Sequence, residues 1–233
     1  MKTFEPNLAT LPSAQLALWP NLAETPKDFV LYGGTAIALQ LGHRKSIDFD
    51  FFSHKPFNPD NLHRTIPYLQ QAEAIQREPN TLTCLVNPEN TTDPVKVSFF
   101  GDLPLQTVRK PLLASDNRLK VADLLDLLGT KCATVSARIE QKDYIDIHAI
   151  LQRTQHSLSD GLAAAKTIYN KQYHPFMTLK ALSSYKEGDL NLLKESVKHD
   201  LQRFVRQAEL AKIPRLKAFG VISATKDNSL AME

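Results

Sequence analysis

The stretch that decides the fold runs from Phe29 to Phe52 and reads FVLYGGTAIALQLGHRKSIDFDFF. Its first four residues are aliphatic or aromatic, which predicts a short buried strand over Phe29–Tyr32. Gly33-Gly34 marks a turn, and Thr35 is predicted to be the N-cap of a helix through Ala36–Leu41. Glycines let a backbone approach a phosphate closely, and a helix N-terminus points unpaired N–H groups at an anion. The first half of this stretch is therefore typical of a phosphate-binding turn.

The second half of the stretch alternates with period two and predicts a strand over Ile47–Phe52. Asp48 and Asp50 should share one face of that strand. The opposite face should hold Ile47, Phe49 and Phe51. Like charges this close repel, which indicates a divalent cation, Mg²⁺ or Mn²⁺, bound by these carboxylates and by substrate phosphates. Taken singly, Gly-Gly-Thr is usually just a helix start and Asp-x-Asp the solvated face of an edge strand; together, at this spacing, they favour a metal-bound nucleotide.

These residues resemble the signature of the AbiEii/AbiGii toxin group within the DNA polymerase β-like nucleotidyltransferase superfamily. The matching positions are Gly33, Gly34, Thr35, Gly42, His43, Arg44, Ser46, Asp48, Asp50 and Phe52. In that superfamily a glycine turn follows the first strand, and an Asp-x-Asp strand carries two metal-binding carboxylates. The resemblance covers roughly residues 28–152. It implies a bacterial toxin that acts in phage defence or growth arrest and has a cognate antitoxin.

The resemblance also implies a reaction and a set of roles. The chain is expected to move a nucleoside monophosphate from a nucleoside triphosphate (NTP) to an acceptor hydroxyl on a tRNA, a protein or a small molecule. Gly33, Gly34 and Thr35 should hold the phosphates, and Asp48 and Asp50 should hold the metal. Arg44 could bind a phosphate oxygen bidentately, although a cation at that position more often only finishes a helix.

A second constellation lies at the beginning of the predicted helical half. Lys131 follows Leu128 by three residues and therefore projects near the apolar stripe of its helix, where a lysine needs an anion. Asp143 and Asp146 lie three residues apart on one face of the next helix. The pattern alone fits a snorkelling lysine and helix-capping aspartates equally well. The family resemblance implies instead that Lys131 contacts the triphosphate and that Asp143 or Asp146 orients the lysine or the attacking group.

The sequence departs from the wider superfamily at one position. Polymerase β-like enzymes carry a third carboxylate on a later strand, and the corresponding strand is predicted over Val95–Phe100 with Ser98 in place of the acid. Asp102, near the end of that strand, or Asp143 or Asp146 could replace it, and the sequence does not choose between them. Two carboxylates still bind Mg²⁺ together with substrate phosphates, but they lack the usual ligands for two-metal chemistry.

Two other function classes therefore stay open. The chain could be a nucleotide- or partner-binding module that lost catalysis together with the third carboxylate. It could also be a phosphotransferase that delivers the γ-phosphate from the same pocket. The first predicts NTP binding without turnover, and the second predicts a phosphate adduct on the acceptor in place of a nucleotide adduct.

The order of the patterns predicts an α+β fold, with a small mixed sheet and helices over residues 1–115 and a helical domain over 116–233 that completes the active-site cleft. The β signals fade beyond Pro111, and residues 223–233 read as a frayed tail. Strands are predicted at Thr81–Val86 and Val95–Phe100. Helices are predicted at 61–74, 120–138, 143–153, 158–169, 176–185 and 189–210.

Composition supports a cytoplasmic protein without a membrane segment. The 233 residues are 42% hydrophobic, the net charge is +3, and no apolar run is long enough to span a bilayer. Cys84 and Cys132 are predicted to be small core residues in a reducing compartment. Residues 161–220 contain eleven Lys and Arg against five acids. Such a surface attracts RNA or nucleotides, although a solvated helical face is the commoner cause.

Overall fold

The computed structural model describes residues 1–223, and these residues form two compact units. The first unit contains residues 1–105, 110–122 and 220–223, and the second contains residues 106–109 and 123–219. The domain boundary expected at residues 115 and 116 stays a prediction. The tail expected to fray lies, apart from Ser223, outside the described residues.

The first unit is built on one mixed β-sheet. The described strands, in chain order, are β1 (Thr3–Phe4), β2 (Val30–Tyr32), β3 (Asp48–Phe52), β4 (Glu73–Glu78), β5 (Thr81–Val86), β6 (Val95–Phe100), β7 (Gln106–Thr107), β8 (Leu112–Ala114), β9 (Lys120–Val121) and β10 (Gly220–Val221). Eight of them form the sheet, in the order β1-β8-β9-β2-β3-β6-β5-β4. Strand β3 lies in the middle, antiparallel to β2 and parallel to β6. The strand with the two aspartates is therefore held on both sides.

Helices of the first unit pack against this sheet. They are α1 (Ser13–Leu18), α2 (Gly33–Leu41) and α3 (Pro59–Thr65). Helix α2 ends at Gly42, whose φ of 64° is left-handed and whose N–H bonds to the carbonyl of Ala38. The core beneath the helices is aromatic: the Phe51 and Phe99 rings stack with centroids 5.2 Å apart, and the Trp19 ring lies 6.4 Å from Phe49.

The second unit is a helical bundle. Its helices are α4 (Leu124–Ala137), α5 (Gln141–Arg153), α6 (Leu158–Tyr169), α7 (Pro175–Ala181) and α8 (Glu195–Gln207). Asp123 caps α4 by accepting a hydrogen bond from the N–H of Leu125, and Ser157 with Asp160 forms a capping box on α6. Helices α4 and α6 approach closely, because Gly129 and Gly161 lie at their contact. A Cβ at either position would lie within 3.0 Å of atoms of the facing helix.

A buried carboxylate fastens the segment 106–109 to this bundle. Asp126 of α4 accepts hydrogen bonds from the hydroxyl of Thr107 and from the main-chain N–H groups of Val108 and Arg109. Burial raises the pKa of Asp126 to about 7, against the pull of these donors. The segment therefore belongs to the second unit although its chain neighbours lie in the first.

The α+β fold class and the strands at Thr81–Val86 and Val95–Phe100 are confirmed. Both cysteines are buried and unpaired, as predicted. The helix expected over 61–74 is wrong: α3 begins at Pro59 and ends at Thr65, since Pro67 lacks the N–H that a continuing helix needs, and the chain then forms β4.

The sheet is larger than expected, because strands also form beyond Pro111. The two-residue strand β9 occupies the beginning of the segment predicted as a helix over 120–138, so α4 begins only at Leu124. Such short strands carry too few residues to show a period. Within residues 1–223, no helix has the length and apolarity that crossing a membrane requires.

The contact between α4 and α6 can be tested with Gly129→Ala. An added Cβ would lie 2.9 Å from the main-chain nitrogen of Ala165, which cannot move away. In an open helix this substitution would stabilise by about 1 kcal/mol, but here overpacking should lower the free energy of unfolding by about 1–3 kcal/mol. Urea unfolding measures the change. Lys166→Ala, at an exposed position of α6, serves as the control and should change it by less than about 0.5 kcal/mol; unchanged stability in Gly129→Ala would contradict the close contact.

Candidate active site

The glycine turn and the second aspartate of the Asp-x-Asp strand lie in direct contact. Strand β2 passes into α2 through Gly33, whose φ is +76°. A Cβ added at Gly33 would lie 2.9 Å from Oδ2 of Asp50. Only glycine adopts this conformation easily and leaves room for the carboxylate. The turn and Asp50 are therefore parts of one site.

Helix α2 begins at Gly33, with Tyr32 as its N-cap and without a capping hydrogen bond from a side chain. The prediction that Thr35 is the N-cap is therefore wrong. The Thr35 side chain is buried and lies 2.7 Å from the hydroxyl oxygen of Ser46. It donates a hydrogen bond to the main-chain carbonyl of Asp48. Thr35 thus ties the first turn of α2 to β3 and does not cap the helix.

Strand β3 separates its side chains as the alternation predicts, with one exception. Phe49 and Phe51 are fully buried, whereas Asp48 and Asp50 lie half-exposed on the other face. Ile47 was expected beside the two phenylalanines, but it is 58% exposed. The strand begins only at Asp48, so the alternation of the strand does not constrain the side chain of Ile47. The two carboxylates share a face, and Asp50 contacts the turn.

Strand β6 places a lysine and a serine beside the aspartates. Lys96 pairs with Asp48 and Ser98 pairs with Asp50 in the parallel register. The Nζ atom of Lys96 lies 3.3 Å from Oδ2 of Asp48. Sequence reasoning missed Lys96, although period-two alternation in VKVSFF puts it on the same face as Ser98. What the sequence lacked was the pairing of β6 with β3.

Two residues further along the same face, the polar surface becomes aromatic. Phe52 and Phe100 are half-exposed neighbours in the register, with ring centroids 5.6 Å apart. The Phe52 ring also stacks on Tyr32, 4.9 Å away. The polar site is therefore bordered by a cluster of aromatic rings from Tyr32, Phe52 and Phe100.

The side chains present fit a divalent cation that shares its ligands with a phosphate substrate. Two carboxylates on one strand face supply hard oxygen ligands, and the beginning of α2 supplies N–H donors for phosphate oxygens. In the part of the chain described, no cluster of three or more His, Cys, Asp or Glu side chains is arranged to hold a metal. Mg²⁺ at Asp48 and Asp50 would therefore need the oxygens of its substrate to complete its shell.

Two further candidate residues, Arg44 and Asp102, lie near the ends of α2 and β6. Arg44 is half-buried after the end of α2, and its Nη1 donates to the carbonyl of Lys45; its contact with a phosphate stays a prediction. Asp102 is exposed and lies two residues beyond the end of β6, with a left-handed φ of 53°. Its N–H bonds to the carbonyl of Lys55. Whether Asp102 replaces the third carboxylate stays a prediction.

The second unit brings Lys131, Asp143 and Asp146 together in a buried ion cluster. The Nζ atom of Lys131 lies 2.5 Å from Oδ1 of Asp143 and 2.7 Å from Oδ2 of Asp146. Arg138 adds a second cation, since its Nε lies 2.9 Å from Asp143. Both aspartates are fully buried. Burial works to raise the pKa of Asp143, but Arg138 and Lys131 outweigh it and hold the pKa below its ordinary value.

Three solved structures share this fold. A putative nucleotidyltransferase from H. pylori is 18% identical, with a TM-score of 0.51 over 82% of this chain and 89% of its own. MenT4, a nucleotidyltransferase toxin of Mycobacterium tuberculosis H37Rv, is 13% identical, with a TM-score of 0.56 over 84% and 82%. An antigenic nucleotidyltransferase-like protein of Paracoccidioides brasiliensis is 19% identical, with a TM-score of 0.52 over 85% and 95%.

Sequence comparison adds a relative and a family. The uncharacterized protein aq_aa25 of Aquifex aeolicus (strain VF5) is 26% identical over 187 residues, which are 78% of this chain and 83% of that protein. Residues 21–220 match the family described as nucleotidyl transferase AbiEii toxin of type IV toxin–antitoxin systems. That match spans most of the chain, including the glycine turn, both aspartates and the ion cluster of the second unit. The chain therefore belongs to the AbiEii family of nucleotidyltransferase toxins.

Proposed function

We propose that this chain transfers a nucleoside monophosphate from an NTP to an acceptor hydroxyl and that it needs Mg²⁺ or Mn²⁺. The observation that carries the proposal is the contact between the Asp50 carboxylate and Gly33 at the beginning of α2. A metal ligand and a phosphate-binding helix N-terminus meet at one point, and Asp48 follows on the same face of the strand. A triphosphate needs this combination to be held and neutralised.

In the reaction, the oxygen of the acceptor hydroxyl attacks the α-phosphorus and forms a new P–O bond, and the hydroxyl proton passes to solvent. The bond from the α-phosphorus to the bridging oxygen breaks, and pyrophosphate leaves with that electron pair. Gly33, Gly34 and the N–H groups of α2 hold phosphate oxygens, while Asp48 and Asp50 would hold the metal. The bound cation supplies positive charge that lowers the barrier at the α-phosphate.

Lys131 is proposed to neutralise the leaving pyrophosphate, with Asp143 and Asp146 fixing its position. Support for the fixing comes from the two short contacts that both aspartates make with Nζ. An ammonium held by two buried carboxylates cannot swing freely, and this pre-organisation is what a phosphate-binding lysine needs. The contact with pyrophosphate itself is the proposed part of this role.

Family membership implies a nucleotide substrate and a cognate antitoxin. The acceptor is the open part of the proposal: a tRNA 3′ end, a protein side chain and a small molecule all offer the required hydroxyl. The basic segment over residues 161–220 favours a polyanionic acceptor. Within it, however, several cations form ion pairs with acids three residues away, such as Lys198 with Glu195 and Arg203 with Asp200. These pairs reduce the charge available to RNA.

The two rival functions differ from this proposal in their products. A binding module that lost catalysis would hold the NTP without modifying any acceptor, and the buried Ser98 beside Asp50 is the observation in its favour. A phosphotransferase would leave a phosphate on the acceptor in place of a nucleotide. Mass spectrometry of the modified acceptor separates these outcomes.

The metal site predicts loss of transfer in Asp48→Asn and Asp50→Asn. Each variant removes one negative oxygen ligand, so transfer of label from [α-³²P]NTP to total RNA or lysate should fall at least about a hundredfold. Asp93→Asn is the matched control, because it removes an exposed carboxylate of the same unit from the loop between β5 and β6, and it should keep full activity. Full labelling by both site variants would reject the site, and labelling only from [γ-³²P]NTP would favour the phosphotransferase.

The ion cluster predicts a pH-dependent loss of stability in Lys131→Met. This variant leaves Asp143 and Asp146 buried with less opposite charge, so at pH 7 the free energy of unfolding should fall by about 3 kcal/mol. The lowered pKa of Asp143 means that the cluster stabilises the native chain above the unfolded pKa of 3.8 and less as the pH falls. The difference between wild type and variant should therefore shrink below about pH 4.

Urea unfolding between pH 7 and pH 3 measures this difference. Lys142→Met is the control, since Lys142 forms a half-exposed ion pair with Glu140, and it should change stability by less than about 1 kcal/mol. A difference between Lys131→Met and wild type that stays constant with pH would show that the aspartates do not depend on Lys131.

A further inference from the structure

The polar face of the sheet carries a lysine beside the two aspartates that are proposed to hold the metal. Lys96 Nζ lies 3.3 Å from Oδ2 of Asp48, and both side chains are partly exposed. On the next pair of residues in the register, Ser98 faces Asp50. Ser98 is buried, as is Thr83, its neighbour on the other side in β5. The face therefore presents two carboxylates and one ammonium.

The charges of this face decide how many metal ions it can hold. Two-metal sites place their cations about 3.5–4 Å apart and need bridging and flanking carboxylates to offset four positive charges. Three carboxylates with two divalent ions carry one net positive charge. Asp48, Asp50 and Lys96 with a single divalent ion carry the same net charge. A second divalent ion here would be repelled by the ammonium of Lys96, and Ser98 would give it no carboxylate ligand.

We propose that Lys96 takes the place of the second metal ion, so that this enzyme binds one divalent cation per active site. This inference rests on the proposed function. In it, Lys96 is a catalytic residue: its ammonium contacts the reacting phosphoryl oxygens and neutralises charge there. Asp48 holds the lysine at the site before substrate binds, and the half-exposed ion pair opens easily because such pairs are weak.

The test counts Mn²⁺ ions bound to the full chain with a non-hydrolysable α,β-methylene NTP, using electron paramagnetic resonance titration. Wild type should bind one Mn²⁺ per chain in the nucleotide complex. Ser98→Asp restores a third carboxylate and should bind Mn²⁺ more tightly, by roughly tenfold. The double variant with Lys96→Met and Ser98→Asp should bind two Mn²⁺ ions.

Lys96→Met alone separates the role of the charge from that of the fold. Removing a competing cation should raise Mn²⁺ affinity roughly tenfold, while nucleotide transfer should fall on the order of a hundredfold. Lys96→Arg keeps the charge and should keep both the single Mn²⁺ and most of the activity. Lys27→Met removes an exposed charge elsewhere on the same unit and should change neither quantity.

The outcomes distinguish this inference from the proposed function. Two Mn²⁺ ions on the wild-type nucleotide complex would overturn the role of Lys96 while leaving nucleotide transfer intact. The same holds if Lys96→Met matches Lys27→Met in both affinity and turnover. Absence of any Mn²⁺–nucleotide complex in wild type would overturn the proposed function, and the role of Lys96 with it.

Discussion

The close approach of Gly33 and Asp50 is the constraint on which the polar face of the first unit depends. A left-handed residue without a side chain is needed to pass from β2 into α2 and to leave the carboxylate its place. The same turn begins the helix at Gly33, so the first N–H groups of the helix and the carboxylate lie together. Any other residue would strain the turn and displace Asp50 in one step.

The hydrophobic core keeps this arrangement rigid. Phe49 and Phe51 alternate with the aspartates and are fully buried, so β3 cannot shift by one residue without exposing them and burying two charges. The hydroxyl of Thr35 adds a hydrogen bond from α2 to the main chain of Asp48. Packing therefore determines on which face the carboxylates lie, and hydrogen bonding determines where the helix begins relative to them.

The turn from β2 into α2 and the shared face of Asp48 and Asp50 could be predicted from the sequence, because both depend on local patterns. The N-cap was misassigned because the Thr35 side chain hydrogen-bonds to the main chain of β3 and not to its own helix. This is a tertiary contact, which local sequence does not reveal. Strand β4 was not predicted, and the helix expected over 61–74 overlapped its first two residues, since the exposed, charged residues of β4 show no strand period. Lys96 was missed because parallel pairing of β3 with β6 joins segments more than 40 residues apart, and no local signal gives that register.

The Lys96–Asp48 ion pair and the buried Lys131 cluster differ in how easily they open. Lys96 and Asp48 lie 3.3 Å apart with both side chains partly in water, so their pair is weak and a ligand with stronger charges can open it. The Lys131 cluster is buried, and withdrawing Lys131 would leave two buried carboxylates with less opposite charge, at a cost of several kcal/mol. Of these two lysines, only Lys96 can therefore exchange its carboxylate for a substrate oxygen at a small cost in free energy. In the proposed reaction, the ion pairs of the buried cluster therefore persist, and charge is redistributed at the face of the sheet that carries Lys96 and Asp48.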